Sequence, residues 1–162
     1  MSAAVQSKTV IAAPTGRRFT QVDMAELGDW MAGRIVAFAP HKNALAVRSW
    51  LMGCITQNDM LFARAGDGVC LVQYRQTFLS KYPWAELVFA LAKPGREVDA
   101  SGLFQDMKTW CERLGCTHIV LGDLCDVERA DIAMEIETPK RVPGNMVRLA
   151  LWYQSEQEKA NV

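Results

Sequence analysis

Apolar and polar positions divide the chain into alternating helical and extended stretches. From Met24 to Phe38 apolar residues recur at Leu27, Trp30 and Met31, the spacing of a helix that buries one face. Asp23 stands where an N-cap is needed and Glu26 follows three residues on, completing a capping box. A second helix is predicted from Asn43, carrying Leu45, Val47, Trp50, Leu51, Cys54 and Ile55 and fading at Gln57, Asn58 and Asp59. Met60 to Ala65 and Val69 to Gln73 are short apolar runs joined by Gly66, Asp67 and Gly68, a hairpin signal. Glu86 to Ala92 is the strongest strand, closed by Lys93, Pro94 and Gly95. Alternation along it puts Glu86, Val88 and Ala90 on one face and Leu87, Phe89 and Leu91 on the other.

The next helix has the most continuous apolar face. Asp99 can cap it, Leu103, Met107, Trp110, Cys111 and Leu114 form its stripe, and Gly115 stops it. Thr117 to Leu121 then suits a buried strand parallel to the Glu86 strand, making one βαβ unit. Asp126 caps a last predicted helix through Glu135; Pro139 and Pro143 interrupt, and Met146 to Trp152 reads as the closing strand. Residues 1–18 and 153–162 are small and polar, so the expected organisation is an N-terminal arm (1–18), one domain (19–152) and a C-terminal tail (153–162).

Composition narrows the class. With 162 residues, half of them hydrophobic, the chain can bury a sizeable core, and 18 basic residues against 18 acidic ones leave no net charge. Nonspecific nucleic-acid binding therefore has no bulk electrostatic support. The longest apolar run, Leu87 to Ala92, falls far below the roughly 18 to 20 residues that span a bilayer. Cys54, Cys70, Cys111, Cys116 and Cys125 form an odd set without a CxxC pair and lie mostly in apolar stretches, which predicts reduced core thiols. His41 and His118 lack metal-ligand spacing to a second ligand, so no metal site is expected. With no apolar segment next to a cleavage site at the N-terminus, the expected location is the cytoplasm.

The element order is strand, two helices, antiparallel hairpin, long strand, long helix, parallel strand, short helix and final strand. It resembles the GNAT superfamily of N-acetyltransferases, above all in FALAKPGREVDASGLFQDMKTWCERLGCTHIVLGD, which is similar to that family's central cofactor-binding unit. DVERADIAMEIETPKRV and NMVRLAL resemble its later helix and strand, and the likeness covers roughly Phe19 to Leu151. The resemblance implies an α/β (α+β) fold: a mixed, mostly antiparallel sheet with a central parallel βαβ unit and helices on both faces. It also implies acetyl-coenzyme A as cofactor, with contacts at Leu91, Lys93, Arg96, Ser101 and Gly102.

The family's pyrophosphate loop is Arg or Gln followed by x-x-Gly-x-Gly or Ala, opening the long helix so that backbone N–H groups and the helix dipole meet the anion. Here the matching segment is Arg96, Glu97, Val98, Asp99, Ala100, Ser101, Gly102. Arg96 matches the lead position, but Asp99 and Ser101 replace the glycines; shifted by one residue, Val98 and Ala100 do. In either register a carboxylate, Glu97 or Asp99, sits where the diphosphate would arrive, and like charges about 4 Å apart cost about 1 kcal/mol even in water. Asp99 read as a helix cap needs no ligand at all.

By the same resemblance, Glu86, the strand's one carboxylate, matches the general base of some members. Ala133-Met134-Glu135-Ile136-Glu137-Thr138-Pro139 stands where many members carry Leu-Tyr-Glu-x-x-Gly-Phe, and the Met134 thioether cannot donate the tyrosine's proton. A Cys-His pair from Cys111 or Cys116 with His118 fits poorly, because Cys111 belongs to the helix stripe and His118 to a strand. Lys140, Arg141 and Arg148 read as a solvated face.

Two functions follow. One is an acyl-coenzyme A dependent N-acetyltransferase acting on an amine, with Arg96 on the pyrophosphate and Glu86 as base. The other, favoured by the lost glycines, the acidic loop and the missing tyrosine, keeps the fold without the cofactor or the chemistry and acts as a structural or interaction component. Eroded domains of this pattern also occur in tailed bacteriophages, some within the virion. For such a protein the expected partner surface is the N-terminal arm, with self-association a further option.

Overall fold

The computed structural model describes residues 16–127. The predicted helix from Asp126 to Glu135, the strand from Met146 to Trp152, the Met134 and Thr138-Pro139 positions, and Lys140, Arg141 and Arg148 lie outside the described residues or extend beyond them. Strand β1 (Arg17–Arg18) is followed by α1 (Gln21–Phe38), α2 (Ala44–Ile55), β2 (Met60–Ala65), β3 (Gly68–Arg75) and β4 (Trp84–Ala92). Then come α3 (Glu97–Ser101), α4 (Phe104–Arg113) and β5 (Ile119–Leu121). The sheet order is β1-β2-β3-β4-β5, antiparallel except for the parallel β4–β5 pair. The described residues thus form a mixed, mostly antiparallel sheet with one βαβ crossover.

Two cores lie on opposite faces of the sheet. On one, α1 and α2 bury Leu27, Met31, Ile35, Val47 and Leu51 against Phe62, Leu71, Phe89 and Leu91. Phe62 is central to it, stacked on Phe19 at 4.1 Å and meeting Phe89 edge-on at 5.9 Å. On the other face, Leu103, Phe104, Met107 and Cys111 pack against Cys70, Val72, Leu87 and Ile119. Cys54, Cys70, Cys111 and Cys116 are buried thiols, as their apolar settings predict, and Cys125 is half-buried.

Three local expectations are corrected. Asp23 is not the N-cap of α1: the cap is Thr20, and Asp23 sits at the third helical position, where its Oδ2 accepts the Thr20 N–H at 2.8 Å. The same carboxylate takes both Arg17 Nη1 and Nη2 at 2.6 Å and Arg64 Nη1 at 2.6 Å. It ties β1, α1 and β2 together, and the Arg17 hydrogen bonds hold its carboxyl well below the usual carboxylate range. Secondly, the helix expected from Asp99 starts earlier and is broken. Arg96 is the N-cap of α3, Asp99 lies inside that turn, and at Leu103 the backbone tightens to an N–H···O bond with Ala100, three residues back. Gly102 weakens the helix there, while the core draws in Leu103, which is fully buried. Of the predicted stripe, Leu114 falls past the end of α4 and is exposed.

Thirdly, the strict alternation expected for β4 fails. Val72 pairs with Leu87 and Leu71 with Phe89, which leaves Val88 as the extra residue of a β-bulge. Leu87 therefore packs on the α4 side, while Phe89 and Leu91 pack with α1 and α2, and Val88 leans to the same side as Phe89. Ala90, by contrast, returns to the α4 side.

Candidate functional site

The segment between β4 and α4 was the sequence's main candidate for binding an anion. Three of its backbone donors are engaged within the chain. The Gly95 N–H bonds the Glu97 carboxylate at 3.2 Å, the Arg96 N–H bonds the Lys93 carbonyl at 2.8 Å, and the Asp99 N–H bonds the Arg96 carbonyl at 2.9 Å. Arg96 is likewise committed: its Nε and Nη2 donate to the two Asp99 oxygens at 3.0 and 2.9 Å. Asp99 is fully buried, and its Oδ2 also accepts the Asp67 N–H of the β2–β3 turn at 3.0 Å.

Gly68 explains how the turn comes so close. A Cβ on it would stand 2.3 Å from the Ala100 nitrogen and 2.6 Å from the Asp99 carbonyl carbon, so only glycine admits this contact. The other proposed contacts are also turned inward. The Ser101 hydroxyl donates to the Val98 carbonyl at 3.0 Å, Gly102 continues the helical backbone, and Leu91 is fully buried in the α1/α2 core. Lys93 holds its Nζ 5.8 Å from the centre of the Trp30 ring. These residues fit a pyrophosphate poorly: the Arg96 guanidinium is already paired with the buried Asp99, the Glu97 carboxylate occupies the Gly95 N–H, and Asp99 and Ser101 stand where glycines would let a backbone cradle open.

Along β4, Glu86 lies opposite Gln73 and forms an ion pair with Arg75 at 2.9 Å, its side chain about one-third exposed. Beyond β5 the chain stays against β4. Gly122 N–H bonds the Leu87 carbonyl at 2.9 Å, the Ala90 N–H bonds the Leu124 carbonyl at 3.1 Å, and the Asp126 N–H returns to the Ala90 carbonyl at 2.8 Å. The Asp126 side chain then accepts the Ala92 N–H at 3.1 Å and pairs with Arg34 of α1. An extended ligand seeking hydrogen bonds on this edge of β4 would have to displace these contacts.

An apolar cavity of about 410 Å³ opens on the α1/α2 face of the same strand, lined by Ile35, Phe38, Trp50, Val88, Phe89 and Leu124 among others, with Lys42 and Asp123 also in its wall. Glu86 is not among the residues lining it. Nothing in the sequence points to this cavity, whose wall includes Val88, the bulge residue that appears only against β3. A second hollow of about 320 Å³ lies between Arg17, Arg18, Leu61 and Trp110. The His118 ring stacks on Trp84 at 5.6 Å, its Nδ1 lies 3.1 Å from the Thr117 hydroxyl, and burial lowers its pKa. Among the described residues no group of three or more His, Cys, Asp or Glu could hold a metal ion, and no helix is long and apolar enough to cross a membrane.

No protein-family model matches this chain, and no curated protein matches it. Solved structures do. A protein designated an acetyltransferase, from Arthrobacter sp. FB24, superposes with a TM-score of 0.58 at 20% identity over 81% of this chain and 86% of its own. The aminoglycoside antibiotic 6'-N-acetyltransferase AAC(6')-Ih of Acinetobacter baumannii does so with a TM-score of 0.53 at 16% identity, covering 80% and 92%. An acetyltransferase from Vibrio fischeri gives 0.52 at 15% identity, covering 67% and 94%. The chain has the fold of the GNAT acetyltransferases.

Proposed function

We propose that this chain is a GNAT-fold protein that does not use acyl-coenzyme A and works as a structural or interaction component. The observation that carries this reading is the buried Asp99 carboxylate bonded to both Arg96 nitrogens at the entrance to α3. The cation that would meet a diphosphate is neutralised from within, and the amides of Gly95, Arg96 and Asp99 are spent on the chain itself. Desolvating a diphosphate beside the Arg96–Asp99 pair costs free energy that an already paired guanidinium returns only in part. The segment running from Gly122 to Asp126 along β4 supports the same reading. The N-terminal arm is the partner surface in this proposal, and a place in an assembled particle such as a phage virion is one setting for it. Removing residues 1–15, which spares the Arg17 contact to Asp23, is expected to abolish assembly and leave the melting temperature within about a degree.

The second reading is an N-acetyltransferase, favoured by the activity named for its structural neighbours and by Glu86 on the central strand. Incubating the protein with acetyl-coenzyme A and a panel of amines, namely a polyamine, an aminoglycoside and a lysine peptide, separates the two. Product is followed by mass. The binding-protein reading predicts no acetylated amine above the protein-free rate; acetylation that depends on the protein and disappears in Glu86→Gln would replace it with the enzyme.

A further inference from the structure

The last turn of α4 ends in a helix stop that brings two cysteines together. Gly115 takes φ +72°, its N–H bonds the Glu112 carbonyl at 3.1 Å, and the Cys116 N–H reaches back to the Cys111 carbonyl at 3.0 Å. This pair of bonds is the Schellman motif, in which the residue after the left-handed glycine also packs its side chain on the residue five positions earlier. In most helices that contact joins two apolar side chains. Here both partners are thiols, buried in the α4 core.

We infer that Cys111 and Cys116 are a redox-active dithiol that closes to an intramolecular disulfide, stapling the end of α4 to the segment leading into β5. Pairing with Cys116, then burial, raises the Cys111 thiol, while the same pairing lowers Cys116, to which we assign the attacking role. Size selects the oxidant: Arg113, Leu114 and Gly115 between the two cysteines are exposed, but the sulfurs themselves are covered, which favours a small hydroperoxide over a bulky disulfide. The Cys116 thiolate attacks a peroxide oxygen, the O–O bond breaks, and a sulfenic acid forms as water leaves. Cys111 gives up its proton and attacks the Cys116 sulfur, expelling a second water. Two thiols and one hydrogen peroxide thus become one disulfide and two waters.

Two other cysteines provide the contrast. Cys70 lies in the same core, where burial pushes its thiol up to about 12. Cys125 is the most accessible of the five, its Sγ 3.1 Å from the Val127 carbonyl. If exposure alone decided reactivity, Cys125 would oxidise first.

The test uses the reduced full-length protein and hydrogen peroxide, quenched with iodoacetamide in denaturant and digested with trypsin without reductant. Cleavage after Arg113 separates the two cysteines, so the disulfide appears as residues 109–113 linked to residues 114–129. Fragmentation is expected to place the link at Cys116 rather than Cys125, with Cys70 and Cys125 recovered alkylated. The link persists in Cys125→Ser and is lost in Cys116→Ser. Oxidised wild type is expected to melt a few degrees above the reduced form, a difference that dithiothreitol removes. Oxidation at Cys125 ahead of the pair, a link elsewhere, or recovery of Cys111 and Cys116 as alkylated thiols from the wild-type digest would each overturn the inference without reference to any variant's folding.

Discussion

Asp23 shows how much one carboxylate can organise. Five donors from β1, the Thr20 cap and β2 converge on a side chain only 1% exposed, so removing its charge leaves two guanidinium groups short of a partner. Asp23→Asn is expected to destabilise the fold by about 3 kcal/mol, the scale for breaking a buried ion pair from one side, read by urea denaturation. Because its carboxyl titrates below the ordinary aspartate value of about 4, the stabilisation is complete above that range and is lost as pH falls toward the folded value. The wild-type melting temperature should therefore drop with acidification below about pH 4, and the slope should be shallower in Asp23→Asn. Asp99 is the second such carboxylate. Asp99→Ala strands the Asp67 N–H and the Arg96 guanidinium and should cost about 1 to 3 kcal/mol in the same measurement.

At the level of elements, the clearest constraint is the approach of the β2–β3 turn to α3. Gly68→Ala places a methyl group against backbone atoms that cannot move aside as a side chain would, and should destabilise by at least about 2 kcal/mol. Loss of the Asn43 side chain, which accepts the Ala46 N–H at 2.8 Å at the start of α2, should cost about 1 kcal/mol. Most elements were legible in the sequence. Apolar spacing gave α1 and α2, glycine and aspartate gave the hairpin, and the switch of period around Gly115 gave the parallel strand. What escaped were features that depend on partners distant in sequence. Thr20 outcompetes Asp23 as cap because Arg17 and Arg64 draw the carboxylate into the first turn, and the Val88 bulge is visible only against β3.

For the whole molecule, the sequence set Asp99 and Ser101 where the loop of the resembled family carries glycines, but did not show what the acid does. The structure puts the Asp99 carboxylate, which sequence reasoning placed as a helix cap, on Arg96 and the hairpin turn, so the loop is held by internal charge pairing. That contact spans Asp67 to Asp99, too far apart for any local motif to reveal. Glu86 lies on the β4 strand as the sequence placed it, yet its pairing with Arg75 was beyond a one-dimensional reading.

The central claim, that this GNAT fold does not take acyl-coenzyme A, is tested most directly by melting the purified protein with and without acetyl-coenzyme A at about 1 mM. A ligand bound only to the folded state at micromolar affinity adds about 4 kcal/mol, several degrees for a domain of this size. The account predicts an unchanged melting temperature. A rise of several degrees that Arg96→Ala abolishes would contradict it and restore the acetyltransferase reading.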